Sequence, residues 1–389
     1  MSDSIILITI GALLLVGMVM DAVGRRTRLP RVTLLVLFGI FAGPSGLNLL
    51  PAAAKGWYPL VTVMALVMVA FLLGGRLTRQ MLSENGGPIM FVSAGAVLVT
   101  AALVGVGLWL IGVDPIMCLI LAGISTATDP AATQDVVGRS GAKGPFSRIL
   151  LGVVAIDDAW GLVVFSLLLA LGQAISGESP TFALLAGIQE LGGAVLVGVA
   201  IGFPAAYLTG RLKPGEPSQV EVLGVVFLCG GLSLALGASF LLAAMLTGLI
   251  IANFAQHHTR AFHEIENIEW PFMVLFFVLA GASLELAALP TIGVIGVGYV
   301  VLRFVGRIAG GWLGGRASGL SPHYCRWIGL ALMPQAGVAL GMALVASHAF
   351  PEMGDEILAM AIGTTILFEL GGPLITQGAL ANVDRNNKD

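Results

Sequence analysis

Charge is scarce in this 389-residue sequence: Lys and Arg number 19, Asp and Glu 22, and together they make up 11% of the chain, less than half the share in ordinary soluble domains. This excludes a soluble protein. With no long polar block and a mean hydropathy of +0.97, there is no room for an attached water-soluble catalytic or regulatory domain of ordinary size. Cysteine is rarer still. Cys118, Cys229 and Cys325 lie far apart in or near apolar stretches, giving neither a CxxC metal spacing nor a disulfide framework. Net charge is −3 and no basic patch is interleaved with aromatics, so nucleic acid is not an expected partner. No GxGxxG occurs in a strand–turn–helix context, and the 53 glycines read as close helix packing rather than phosphate loops. No cofactor is expected.

What the sequence has is apolar length, with 57% hydrophobic residues. Each helical crossing of a bilayer takes about 20 mostly apolar residues, because backbone amides in lipid must be satisfied within the segment. Hydrophobic stretches between Pro, Gly and charge clusters fall at 4–24, 30–50, 56–78, 86–112, 114–140, 145–173, 181–210, 219–236, 238–254, 269–288, 290–315, 321–348 and 352–380. The expected fold is therefore an all-α polytopic membrane protein of about thirteen transmembrane helices. The positive-inside rule tests that segmentation. Basic residues from Arg25 to Arg31, then Arg76, Arg79, Arg139, Lys143, Arg148, Arg211, Lys213, Arg260, Arg316, Arg326, Arg385 and Lys388, all fall in one set of connections, and the opposite set carries only Lys55. The N-terminus is expected outside and the C-terminus cytoplasmic, in the cell membrane. The first apolar run has its basic cluster after it, so it reads as a retained N-out helix rather than a cleaved signal.

Charges deep in such segments are functional candidates by default. Asp157 and Asp158 lie in Leu151-Gly-Val-Val-Ala-Ile-Asp157-Asp158-Ala-Trp160, and neighbours on a helix point about 100° apart. Two roles are therefore expected rather than one shared partner; the alternative is a static pair of buried ion pairs, which rarely gain over apolar packing. The preceding segment contains Ser125-Thr-Ala-Thr128-Asp129-Pro130, where proline removes a donor and disfavours helix at the residue before it. A break there would free carbonyls suited to an alkali cation, with Asp129 offsetting the half-helix dipoles. A simple proline kink with a capping Asp is the other reading.

A second interruption is expected in Ala331-Leu-Met-Pro334-Gln335-Ala-Gly337, again followed by a crossing with an acid at depth, Glu369. Two broken helices in corresponding halves point to an inverted-repeat transporter with its site where the breaks cross. Glu369 either lines the pathway or pairs with a polar group. Arg303 lies within the segment before the second break. Its guanidinium stays protonated and so demands an anion, for which the Asp pair is the supply. Arg307, one turn on, either takes part or snorkels and caps carbonyls. His257, His258 and His263 sit in an expected cytoplasmic connection beside Glu264, Glu266 and Glu269, readable as a pH sensor or as solvated loop residues. Glu190 lies several residues into a long crossing and is readable as interfacial.

Together, Thr128-Asp129-Pro130, Ile156-Asp157-Asp158-Ala-Trp160-Gly161, Phe276-Phe277-Val-Leu-Ala-Gly281, Arg303 and Pro334-Gln335-Ala-Gly337 resemble, in type and order, the cation/proton antiporters of the sodium/proton exchanger superfamily. The likeness is to the double-aspartate branch, the monovalent cation:proton antiporter-2 type. It implies a single membrane domain over 1–389, with scaffold and dimer helices at 4–78 and 219–288, a linker helix at 181–210, and an ion-translocating core at 86–173 and 290–380. It also implies a homodimer with elevator-like alternating access. Asp158 then looks like the main cation- and proton-binding carboxylate, Asp157 its neighbour paired with Arg303, and Thr128-Asp129 the unwound stretch near the ion, with Gln335, Glu369 and Arg307 as pathway or structural residues. Several members of that branch carry Lys where Arg303 stands, and Lys can lose its proton whereas Arg cannot. A nucleotide-binding regulatory domain such as that of similar glutathione-gated potassium efflux systems is not expected.

The mechanism expected is competition. Burial disfavours a bare carboxylate, and a proton and Na⁺, K⁺ or Li⁺ cannot both neutralise the same one, so binding one expels the other. Na⁺ is the first choice of cation and pH homeostasis the expected role. The rivals are K⁺/H⁺ exchange, a channel-like K⁺ efflux path and, more remotely, an intramembrane aspartyl protease, whose two acids would have to converge on one water.

Overall fold

The computed structural model describes residues 3–27, 31–51, 54–141, 144–176, 180–209, 218–255, 258–282, 289–335 and 337–386. Among these the regular structure is helical, without strands. In chain order the helices are α1 (Asp3–Thr27), α2 (Arg31–Ala42), α3 (Ala54–Arg76), α4 (Arg79–Leu110), α5 (Pro115–Ile124), α6 (Pro130–Ser140), α7 (Pro145–Ile175), α8 (Pro180–Thr209), α9 (Ser218–Ala235), α10 (Phe240–Phe254), α11 (His258–Ala282), α12 (Leu289–Ala317), α13 (Pro322–Ala331), α14 (Gly337–Ala349) and α15 (Gly354–Asn386). Eight helices among the described residues are long and apolar enough to cross a membrane. Both expected interruptions are present: α5 and α6 are separated by residues 125–129, and α13 and α14 by residues 332–336.

The chain divides into two units, one of residues 1–76 and 189–287 and the other of 77–188 and 288–389. In the first, helices meet backbone to backbone where side chains are missing. A methyl group on Gly248 of α10 would run into the carbonyl oxygen of Phe71 on α3, and one on Gly281 of α11 into that of Val36 on α2. The stretch Phe276–Ala280 is buried beside that contact. Two expectations change in this unit. The crossing placed at 30–50 is a helix only to Ala42; the chain then turns at Gly43, whose carbonyl accepts from the amides of Gly46 and Asn48. The connection placed before residue 269 is helical from His258 onward, because Ala261 and Ile265 supply a buried face and Phe262 stacks on Phe71 with ring centroids 4.9 Å apart. His263 is exposed and lies 3.7 Å from Glu266; His257 lies outside the described residues.

The second unit is built on the contact between α4 and α12. A methyl group on Gly310 would lie 2.8 Å from Cα of Ala96, one on Gly306 2.8 Å from Cα of Thr100, and one on Gly314 2.7 Å from Cα of Val92. Small residues let the backbones touch, and this close register fixes the position of everything else α12 carries. On its other side, α12 meets α13 where a methyl on Gly311 would lie 2.6 Å from Cα of Gly329. The helix after the second break is α14, and α15 packs on that break so closely that a methyl on Gly372 would lie 2.6 Å from Cα of Pro334.

Candidate functional site

The first break follows from three residues. Pro130 takes the first position of α6, where its missing amide costs nothing. Asp129 is the N-cap, in extended conformation (φ −120°, ψ 97°), with its carboxylate accepting from the amide of Ala132 at 2.9 Å. Upstream, α5 ends at Ile124, leaving Ser125–Asp129 off the helix and buried. Orphaned carbonyls in such a place must find donors.

The donors are side chains of this same unit. Gln335, from the second break, donates its amide Nε2 to the carbonyl of Ile124 at 3.2 Å and to the hydroxyl of Tyr299 at 3.3 Å. Arg303 donates Nε to Ser125 O at 3.1 Å, Nη2 to Ala127 O at 2.8 Å and Nη1 across to Met333 O at 3.0 Å. Its guanidinium carbon lies 4.1 Å from the centroid of the Phe368 ring, within cation–π range. Arg307 Nη2 donates to the carbonyls of Thr126 and of Ala127, the latter at 3.2 Å. Both arginines are fully buried. Every carbonyl from Ile124 to Ala127 thus has a protein donor.

The two aspartates differ in their surroundings although both are fully buried. Asp157 accepts from Ser93 of α4 at 2.9 Å and pairs with Arg307 at 2.5 Å. Asp158 turns to the first break: its Oδ1 accepts from the backbone amide of Thr128 at 3.1 Å and from the Thr128 hydroxyl at 3.2 Å. Its Oδ2 has no hydrogen-bond partner among the described residues. A buried carboxylate oxygen with nothing to accept from is costly unless a proton or cation neutralises it.

The ion pair expected between Asp157 and Arg303 is made by Arg307 instead. The reason is register along α12. Arg303 lies level with the meeting of the two breaks and is consumed by their carbonyls, whereas Arg307, one turn further, comes level with Asp157. Arg307 therefore neither snorkels nor only caps carbonyls; it does the capping and the pairing together. Asp129 acts at the helix start, and Glu369 is buried on α15, one turn from Gly372 and the second break. Two contributors escaped the sequence reading. Tyr299 has a signal, since Tyr299, Arg303 and Arg307 recur every four residues on one face of α12. Ser93 has none: a lone serine in an apolar helix ordinarily bonds its own backbone.

A fully buried acid with an open oxygen, next to an ion-paired acid and bonded to the first of two interrupted helices tied to each other, defines an ion-coupled membrane transporter rather than an enzyme. The chain belongs to the sodium/hydrogen exchanger transmembrane family, whose profile matches residues 10–380. It is 24% identical over 374 residues to the ammonium/H⁺ antiporter subunit AmhT of Alkalihalophilus pseudofirmus, covering 93% of this chain and 92% of that protein. To the Na⁺/H⁺ antiporter NhaP of Pseudomonas aeruginosa it is 31% identical over 218 residues, 52% of this chain and 50% of the relative. Its fold matches the sodium proton antiporter MjNhaP1 of Methanocaldococcus jannaschii with a TM-score of 0.74 at 19% identity, over 95% of each chain.

Proposed function

We propose that this protein exchanges a monovalent cation, Na⁺ first, for protons by alternating access, with Asp158 as the group that holds one or the other. The observation that carries this is the open Oδ2 of Asp158 in a fully buried site. Asp157 serves a different end: paired with Arg307, which never gives up its proton, it stays ionised through the cycle. Exchange then moves one proton per cation, without net charge. Thr128 holds Asp158 from the first break, Asp129 starts α6, and Arg303 and Gln335 keep the two breaks together. Glu369 stands beside the second break as a pathway or structural residue.

The same reading makes 86–173 and 290–380 the ion-translocating core, 4–78 and 219–288 the scaffold and dimer helices, and 181–210 the linker. It puts the protein in the cell membrane as a homodimer, N-terminus outside and C-terminus in the cytoplasm, an orientation that the Lys and Arg distribution supports. The protease alternative loses support because Asp157 and Asp158 engage different partners, Arg307 and Thr128. Proteoliposomes carrying an internal pH dye test the proposal, with Na⁺, Li⁺, K⁺ and NH₄⁺ each applied outside; ammonium is included because AmhT is named for it. Wild type should move protons against at least one cation gradient, with a rate insensitive to a clamped potential, and Asp158→Asn should not. Full cation-driven flux in folded Asp158→Asn would defeat the assignment.

A further inference from the structure

The helices α6 and α7 form an antiparallel hairpin across the short connection at 141–144. Its register is fixed at both ends. At one, Thr128 bonds Asp158; at the other, Val137 shares an apolar cluster with Phe146, Ile149, Leu150, Val153 and Val154. Between these points lies Thr133, one turn before Val137 on α6 and one turn after the N-cap Asp129. In an α-helix every Cα–Cβ bond tilts toward the N-terminus. Because the two helices run in opposite directions, the side chain of Thr133 leans toward Asp158 and that of Asp158 leans back toward Thr133.

Thr133 is fully buried, yet its hydroxyl has no hydrogen-bond partner among the described residues. The hydroxyls of Thr62, Thr100 and Thr365 are likewise buried and unpartnered among the described residues, but of these four only Thr133 lies on the hairpin that carries Asp158. Thr247 donates to Ala243 O at 2.9 Å, Thr364 to Met360 O at 2.7 Å and Thr376 to Gly372 O at 3.0 Å, the usual way for a helical threonine to satisfy itself. Thr133 leaves its oxygen open, as Asp158 leaves Oδ2, on the two helices of one hairpin. One anionic and one neutral hard oxygen suit an alkali cation, while the carbonyls of Ile124, Thr126 and Ala127 in the first break already have donors in Gln335, Arg307 and Arg303.

We infer that the Thr133 hydroxyl is a ligand of the transported cation beside Asp158 and sets its apparent affinity; this rests on the assignment of Asp158 above. In the proton-loaded state the same hydroxyl accepts the hydrogen bond of the protonated acid. The test compares full-length Thr133→Val, which keeps the shape and removes the oxygen, with Thr133→Ser, which keeps the oxygen. In proteoliposomes, Thr133→Val should raise the apparent KM for the cation about five- to tenfold with maximal rate within about twofold, the loss of one contact of hydrogen-bond strength, and Thr133→Ser should stay near wild type. In detergent, Thr133→Val should melt as wild type does without cation but lose most of the upward shift that Na⁺, Li⁺ or K⁺ produces, a readout of binding that needs no transport and that a purely structural residue would not alter. An unchanged KM and an unchanged cation-induced shift for every cation would overturn the inference, as would equal impairment of both variants. Failure of the Asp158 assignment reads separately, as flux retained in Asp158→Asn.

Discussion

The two interrupted helices of the second unit have the same outline and different chemistry. The first, between α5 and α6, supplies its own acid cap in Asp129, offers the amide and hydroxyl of Thr128 to Asp158, and has four successive carbonyls covered by donors from elsewhere. The second, between α13 and α14, touches neither aspartate through any hydrogen bond of its described residues. It gives a donor, Gln335, to its counterpart and an acceptor, Met333 O, to Arg303 of α12, and Ala331 O accepts from Thr376 of α15 at 3.1 Å. The difference teaches that an approximate repeat can be chemically lopsided: the first break meets Asp158, and the second acts as a strut whose Gln335 is tied to the first.

The comparison breaks most visibly at Arg307, which serves the first break alone. Arg307→Ala leaves Asp157 as an uncompensated buried charge, and such a loss costs about 3–5 kcal/mol. The variant should melt far below wild type, and adding Asp157→Asn should recover much of the difference. If the double variant melts no higher, the ion pair is not what the arginine is for. Arg303→Gln ranks next. It withdraws charge-assisted donors from carbonyls of both breaks, each worth about 1.5–3 kcal/mol, and should lower stability and rate together. Gln335→Leu removes the strut's amide. It should cost about 1 kcal/mol and slow exchange without changing which cation is accepted; a change of cation preference would show that the second break also meets the ion. Smallest is Thr128→Val, which keeps the backbone amide donor to Asp158 and loses only the hydroxyl. Its stability should fall by less than about 1 kcal/mol, visible chiefly as a modest rise in cation KM.

Much of this was legible in the sequence because membranes make charge conspicuous. Proline after Asp129 and the second proline at 334 mark both breaks, since proline acts locally on its own and the preceding residue. Asp157, Asp158, Arg303 and Arg307 stand out against apolar neighbours. What the sequence could not carry is the pairing. Whether Asp157 meets Arg303 or Arg307 depends on how far α12 is slid along α4, and that is set by glycine contacts at Gly306, Gly310 and Gly314 that look like any other membrane glycine. The fate of the freed carbonyls was hidden for the same reason, because their donors lie more than 170 residues away in the chain. The early end of α2 and the early start of α11 escaped because segment lengths were read from hydropathy, which sees neither the turn at Gly43 nor the amphipathic face of Ala261 and Ile265.

The central claim is that cation and proton alternate on Asp158 while the Asp157–Arg307 pair keeps its charges. Proton release on cation binding measures this without transport: purified protein in weak buffer near neutral pH is titrated with Na⁺ or whichever cation supports flux, and the protons set free are counted against cation bound. The account predicts release approaching one proton per cation in wild type and none in Asp158→Asn. Release of two protons per cation, or release that persists when Asp158 is replaced, would contradict it.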